Sequence, residues 1–122
     1  MKKILLVEDN PLLVESYSRA INSAGFEVEV ISDGQEVIPA VEKNKPDLIV
    51  MDVVLPNKDG WEVLTTLKNG HDGLKDTKVI IVSDLCQAYD VEKGLEMGAA
   101  KYLIRDHYTP EEIVEEIKKI LN

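Results

Sequence analysis

The sequence predicts an α/β domain: an open, doubly wound (βα)5 fold with a five-stranded parallel sheet and helices on both faces. Three observations lead there. Five short apolar runs stand at Lys3 to Val7, Phe26 to Ile31, Leu48 to Met51, Val79 to Val82 and Tyr102 to Ile104. Four of them are continuous rather than alternating, as strands buried on both faces of a parallel sheet read. Helical patterns with start and stop signals fill the gaps between them, and right-handed crossovers make 2-1-3-4-5 a common strand order for such alternation.

Each element has its own local reason. Phe26-Glu27-Val28-Glu29-Val30 alternates, which suits an edge strand with one solvated face. Asn10-Pro11 is an N-cap followed by proline in the first turn; Leu13, Tyr17, Ala20, Ile21 and Ala24 share one helical face, and Gly25 stops the helix. Asp33 opens a second helix with Glu36 at capping-box spacing, and Pro39 should bend that helix or delay its start. Asp59 and Glu62 mark a third start, with Trp61, Leu64 and Leu67 apolar. A fourth helix runs from about Gln87 to Met97 and ends at Gly98, with Gly94 inside it at a cost of about 1 kcal/mol relative to alanine. Thr109-Pro110-Glu111-Glu112 combines a cap, a first-turn proline and a capping box, ahead of a stripe of Ile113, Ile117, Ile120 and Leu121.

Size and composition bound the function. The 122 residues suit one domain, 1–122, which can bury a core without disulfides or a structural metal. No apolar run exceeds four residues, or five with Pro39 counted, against about 20 for a membrane span. Glu8 and Asp9 end the first apolar run too early for a signal peptide. Cys86 is the only cysteine, which excludes a disulfide framework and points to a cytoplasmic setting. The formal charge of −9 and the lack of a basic stripe argue against direct nucleic-acid binding.

In a 2-1-3-4-5 sheet the first and third strands are neighbours, and ligands bind at their carboxyl ends. Glu8-Asp9 follows the first strand, Asp52 the third, Ser83-Asp84 the fourth and Arg105-Asp106 the fifth. Adjacent strands lie about 4.8 Å apart, so Glu8, Asp9 and Asp52 are expected to converge. Two carboxylates at 4 Å repel by about 4 kcal/mol at an effective dielectric of 20, which a divalent cation would relieve. All-oxygen ligands favour Mg²⁺ or a similar hard ion such as Mn²⁺. A carboxylate nucleophile, a metal, a hydroxyl and a basic side chain together suit phosphoryl transfer.

Four segments carry a family resemblance: Val7-Glu8-Asp9-Asn10; Asp47 to Pro56 with Asp59-Gly60; Val82-Ser83; and Gly98-Ala99-Ala100-Lys101-Tyr102-Leu103-Ile104-Arg105. In this order and spacing the whole chain resembles the receiver domain of two-component response regulators, a flavodoxin-like fold. The resemblance implies that Asp52 accepts a phosphoryl group from a histidine kinase or phosphotransfer protein. It implies Mg²⁺ (or Mn²⁺) held by Glu8, Asp9, Asp52 and the backbone carbonyl of Val54, with Ser83 as the switch hydroxyl and Tyr102 as the switch aromatic. It further implies a signalling protein rather than an enzyme, acting on a downstream protein through the fourth helix, fifth strand and fifth helix. With no output domain in the sequence, a stand-alone regulator is expected, with no membrane or nucleic-acid partner.

Two positions depart from the family pattern. Arg105-Asp106 stands where lysine and a cis-proline are usual; without proline a cis bond costs about 2.5–4 kcal/mol, so a trans bond is expected. Arginine keeps the charge but swaps a compact ammonium for a planar fork. Asp84 follows the switch serine where a small residue is usual, and would modify access to the site. These departures favour an alternative, a degenerate receiver that binds its partner without phosphorylation. Plainer roles also suit several residues: Glu8-Asp9 as acids near a helix N-terminus, Ser83 as a cap of the fourth helix, Tyr102 as fixed packing, Arg105 in a surface salt bridge. A flavin site would want a Ser/Thr/Gly-rich loop after the first strand, and a dehalogenase-type phosphatase a second acid at Val54; neither is present. His71 and His107 have no assigned role.

Overall fold

The computed structural model describes residues 1–70 and 74–122; His71 lies outside them. Five parallel strands, β1 (Lys3–Val7), β2 (Glu27–Ile31), β3 (Leu48–Met51), β4 (Lys78–Ser83) and β5 (Lys101–Ile104), form one sheet in the order β2-β1-β3-β4-β5. Among the described residues, five α-helices connect or follow them: α1 (Pro11–Ser23), α2 (Val37–Asn44), α3 (Gly60–Lys68), α4 (Ala88–Glu96) and α5 (Pro110–Leu121).

The continuous apolar runs split by strand alternation into two cores. Leu5, Val7, Ile49, Met51, Val79 and Ile81 face α2 and α3 through Val37, Val41, Val63, Leu64 and Leu67. Ile4, Leu6, Leu48, Val50, Ile80 and Val82 face α1 and α5 through Tyr17, Ile21, Ile113, Val114 and Ile117. On α5 the buried apolar residues are thus Ile113, Val114 and Ile117, while Ile120 and Leu121 are half-buried. The edge strand β2 leaves Glu27 and Glu29 exposed, as its alternation predicts, and its Val30 is also 42% exposed.

Most helix ends follow the expected chemistry. Asn10 Oδ1 accepts from the Leu12 and Leu13 amides, Asp59 Oδ1 from Glu62 N, and Thr109 and Glu112 close a reciprocal capping box. Gly25 and Gly98 take positive φ just past α1 and α4. The second helix differs. Asp33 and Glu36 form no capping box: Asp33 caps a 3-10 turn, Gly34–Glu36, by accepting from Gln35 N, and α2 starts only at Val37. Pro39 therefore sits in the first turn of α2, where its missing N–H has no helical partner to lose.

One glycine fixes the backbone near the strand ends. A Cβ on Gly60 would lie 2.6 Å from the Asp52 carbonyl oxygen and 2.5 Å from Val53 Cα. Its N–H donates to Val53 O at 2.7 Å. The start of α3 is thereby pressed against the segment that carries Asp52.

Candidate functional site

Sheet hydrogen bonds extend one residue past β1 and β3 and place two acids side by side. Glu8 N donates to Ile31 O at 3.0 Å, and Asp52 N donates to Val7 O at 3.2 Å. Both residues are buried, at 3% and 8% exposure. One oxygen of each is fixed by backbone: Glu8 Oε2 accepts from Asp9 N and Asn10 N, each at 3.1 Å, and Asp52 Oδ1 from Val54 N at 3.1 Å.

The other two oxygens meet one side chain. Arg105, projecting from the end of β5, donates from Nη1 to Glu8 Oε1 at 3.1 Å and from Nη2 to Asp52 Oδ2 at 2.6 Å. Its Nε donates to Asp84 Oδ1 at 3.1 Å. Nη1 also reaches the Tyr17 hydroxyl, and Nη2 the Val82 carbonyl, both at 3.3 Å. The Arg105 side chain is only 10% exposed, so it lines the site rather than the surface.

The electrostatics follow from burial. Desolvation raises the Asp52 pKa above its ordinary value, although the Val54 amide and the Arg105 charge pull it down. Glu8 is likewise raised by burial against the opposing Asn10 amide and Arg105. Burial alone would lower the Arg105 pKa, but Tyr17, Glu8 and Asp52 hold it above its ordinary value. Burial also raises the Tyr17 hydroxyl.

The remaining expected residues are placed differently from one another. Asp9 is exposed, and the expected three-carboxylate convergence does not form: among the described residues, no three His, Cys, Asp or Glu side chains come together as a metal site. Glu8 and Asp52 do share one positive group, and their hard oxygen donors suit a hard cation, with Arg105 as its stand-in. Asp84 is mostly exposed and is turned to Arg105. Ser83 is buried at the end of β4, and its Oγ accepts from Leu85 N at 3.2 Å. It does not cap α4, which starts at Ala88 behind Gln87. The Tyr102 hydroxyl donates to Leu85 O at 2.7 Å. The Val54 side chain is exposed while its amide holds Asp52. The bond after Arg105 is trans and opens a 3-10 turn, Arg105–His107. Tyr17 is a site residue that helical periodicity assigned to packing alone; its clue is that a tyrosine on a buried stripe needs a hydroxyl partner.

Residues 4–118 match the response regulator receiver domain family. The chain belongs to that family. This receiver domain is 35% identical over 103 residues to the transcriptional regulatory protein HprR of Escherichia coli, covering 84% of this chain and 44% of HprR. It is 34% identical over 120 residues to the alkaline phosphatase synthesis transcriptional regulatory protein PhoP of Bacillus subtilis, covering 98% of this chain and 48% of PhoP. The chain thus spans about half the length of these curated relatives. Among solved structures, a response regulator from Chloroflexus aurantiacus superposes with a TM-score of 0.90 at 28% identity, covering 98% of this chain and 97% of that one. The chemotaxis response regulator CheY4 of Vibrio cholerae shares the fold, with a TM-score of 0.87 at 24% identity over 98% of each chain. Receiver domains are signalling modules that work with histidine kinases and downstream effectors. Among the described residues of this receiver domain, no helix is long and apolar enough to cross a membrane.

Proposed function

We propose that this receiver domain is a phosphorylation switch with Asp52 as the phosphoacceptor. The observation that carries the reading is the buried Asp52 carboxylate at the end of central strand β3, one oxygen held by Val54 N and the other turned to a cation. In the step proposed, the Asp52 carboxylate attacks the phosphorus of a phosphohistidine on a kinase or phosphotransfer protein. A P–O bond forms, the P–N bond breaks, and the imidazole leaves with the electron pair. Glu8, Asp52 and the Val54 carbonyl would hold Mg²⁺ or Mn²⁺, with Asp9 at the exposed rim, and the metal would supply charge neutralisation at the transferring group. Ser83 and Arg105 would contact the phosphoryl oxygens. Tyr102 would carry the change to the surface of α4, β5 and α5, where a downstream protein binds. The test is incubation with Mg²⁺ and a small phosphodonor: one phosphate mass increment is expected, abolished by Asp52→Asn.

A second reading, a partner-binding module that works without phosphorylation, is favoured by Arg105 closing on both Glu8 and Asp52. No phosphate increment from the small donor or a cognate kinase, with partner binding intact in Asp52→Asn, would select it.

A further inference from the structure

We propose that Arg105 is the resident cation of the acidic crevice and competes with a divalent metal for one place between Glu8 and Asp52, with Asp84 and Tyr17 as its anchors. The inference rests on reading the crevice as a cation site; it does not depend on Asp52 being phosphorylated.

Three observations support it. The two carboxylate oxygens left free by the backbone, Glu8 Oε1 and Asp52 Oδ2, both point at the same guanidinium. A divalent metal held by these two carboxylates would need the space the guanidinium fills. The arginine is held by more than the two acids. Its five bonds run to Glu8, Asp52, Asp84, Tyr17 and Val82, matching the five N–H donors of a guanidinium. A lysine ammonium, a point charge with three donors, has no equivalent fork with which to bridge the pair and still be anchored on both sides. Finally, Asp9, the third acid that could recruit a metal, is exposed and outside the cluster.

The anchors make the proposal separable from simple electrostatics. Removing the Asp84 charge near a cation site should weaken metal binding if Asp84 acts only through its field. If Asp84 holds Arg105 in the crevice, removing it frees the arginine to leave, and metal binding strengthens. The two accounts predict opposite signs.

The experiment is a Mg²⁺ titration of the unphosphorylated chain by calorimetry, repeated with Mn²⁺ by electron paramagnetic resonance. Expected are weak binding to the wild type, at least about tenfold tighter binding to Arg105→Ala, and several-fold tighter binding to Asp84→Ala and Tyr17→Phe. Saturating Mg²⁺ should also abolish the protected Arg105 Nε–H signal in ¹⁵N spectra of the wild type. Affinities for Arg105→Ala within about twofold of the wild type, or weaker, would overturn the proposal. Should Arg105→Ala fail to fold, Asp84→Ala decides alone: tighter binding supports the competition, and unchanged or weaker binding refutes it. Failure of phosphorylation at Asp52 with these metal results intact would sink the functional reading and leave this one standing.

Discussion

Arg105 neutralises two buried acids at once, so its loss should be felt twice. Breaking a buried ion pair by deleting one partner typically costs about 3–5 kcal/mol, because the remaining charge is left desolvated. Arg105→Ala is expected to fall in that range at neutral pH, read as a drop in urea midpoint. The cost should shrink in acid, where Glu8 and Asp52 can protonate instead. Asp52→Asn should be far milder than Arg105→Ala, since burial already disfavours its charged form and Arg105 keeps Glu8 and Asp84. A midpoint for Asp52→Asn as low as that of Arg105→Ala would show that the Asp52 bond alone holds the arginine.

At the scale of elements, α4 is the least anchored helix. Its only fully buried residue is Gly94, whereas α1, α2, α3 and α5 each bury larger apolar side chains. The glycine has a packing reason: a Cβ there would lie 2.7 Å from Tyr102 Cδ2 and 3.0 Å from Ile81 Cδ1. Two effects oppose each other in Gly94→Ala. Helix propensity gains about 1 kcal/mol, while overpacking costs about 1–3 kcal/mol. We expect net destabilisation, measurable by chemical denaturation, and relief when Tyr102→Leu is combined with it. Unchanged stability in the single variant would mean that Tyr102 moves aside freely. Under the proposed switch, the same loose attachment makes α4 the element expected to respond, because Leu85, just ahead of it, accepts from Tyr102 and donates to Ser83. A beryllofluoride mimic at Asp52 should change hydrogen exchange from Asp84 to Met97 more than in α1 or α5. Identical protection across that segment would remove the switch.

The whole molecule carries a formal charge of −9, and its two site acids have raised pKa values. Both features have the same sign. A carboxylate whose folded pKa is raised favours the fold while protonated, and that advantage is lost as pH rises through the window above its ordinary value. Self-repulsion among surface acids also grows over that range. Stability should therefore be higher near about pH 5 than near about pH 7, and added salt should narrow the difference by screening the surface part. Acids such as Glu116, whose pKa is lowered from its ordinary 4.5 by bonds from Lys101 and Lys119, keep their full contribution across this range and lose it only at lower pH. Urea midpoints that rise steadily from about pH 5 to about pH 7 would overturn this expectation.

The layered sheet, its strand order and the placing of Glu8, Asp52, Ser83 and Arg105 at strand ends were legible because they rest on local patterns. Buried parallel strands read as continuous apolar runs, and caps such as Asn10-Pro11 and Thr109-Pro110 announce helices within a few residues. Gly94 was visible only as a weak point of a helix; its partner Tyr102 lies on another element. The delayed start of α2 hung on a competition between a cap at Asp33 and Pro39 that local rules leave open. What tertiary structure alone decided is the company Arg105 keeps. Its bonds to Glu8, Tyr17, Asp52 and Asp84 join four separate segments, spanning 97, 88, 53 and 21 residues of sequence. Spacing could bring the acids to one end of the sheet, but a long side chain chooses among several acceptors there only by burial and directional hydrogen bonding in three dimensions.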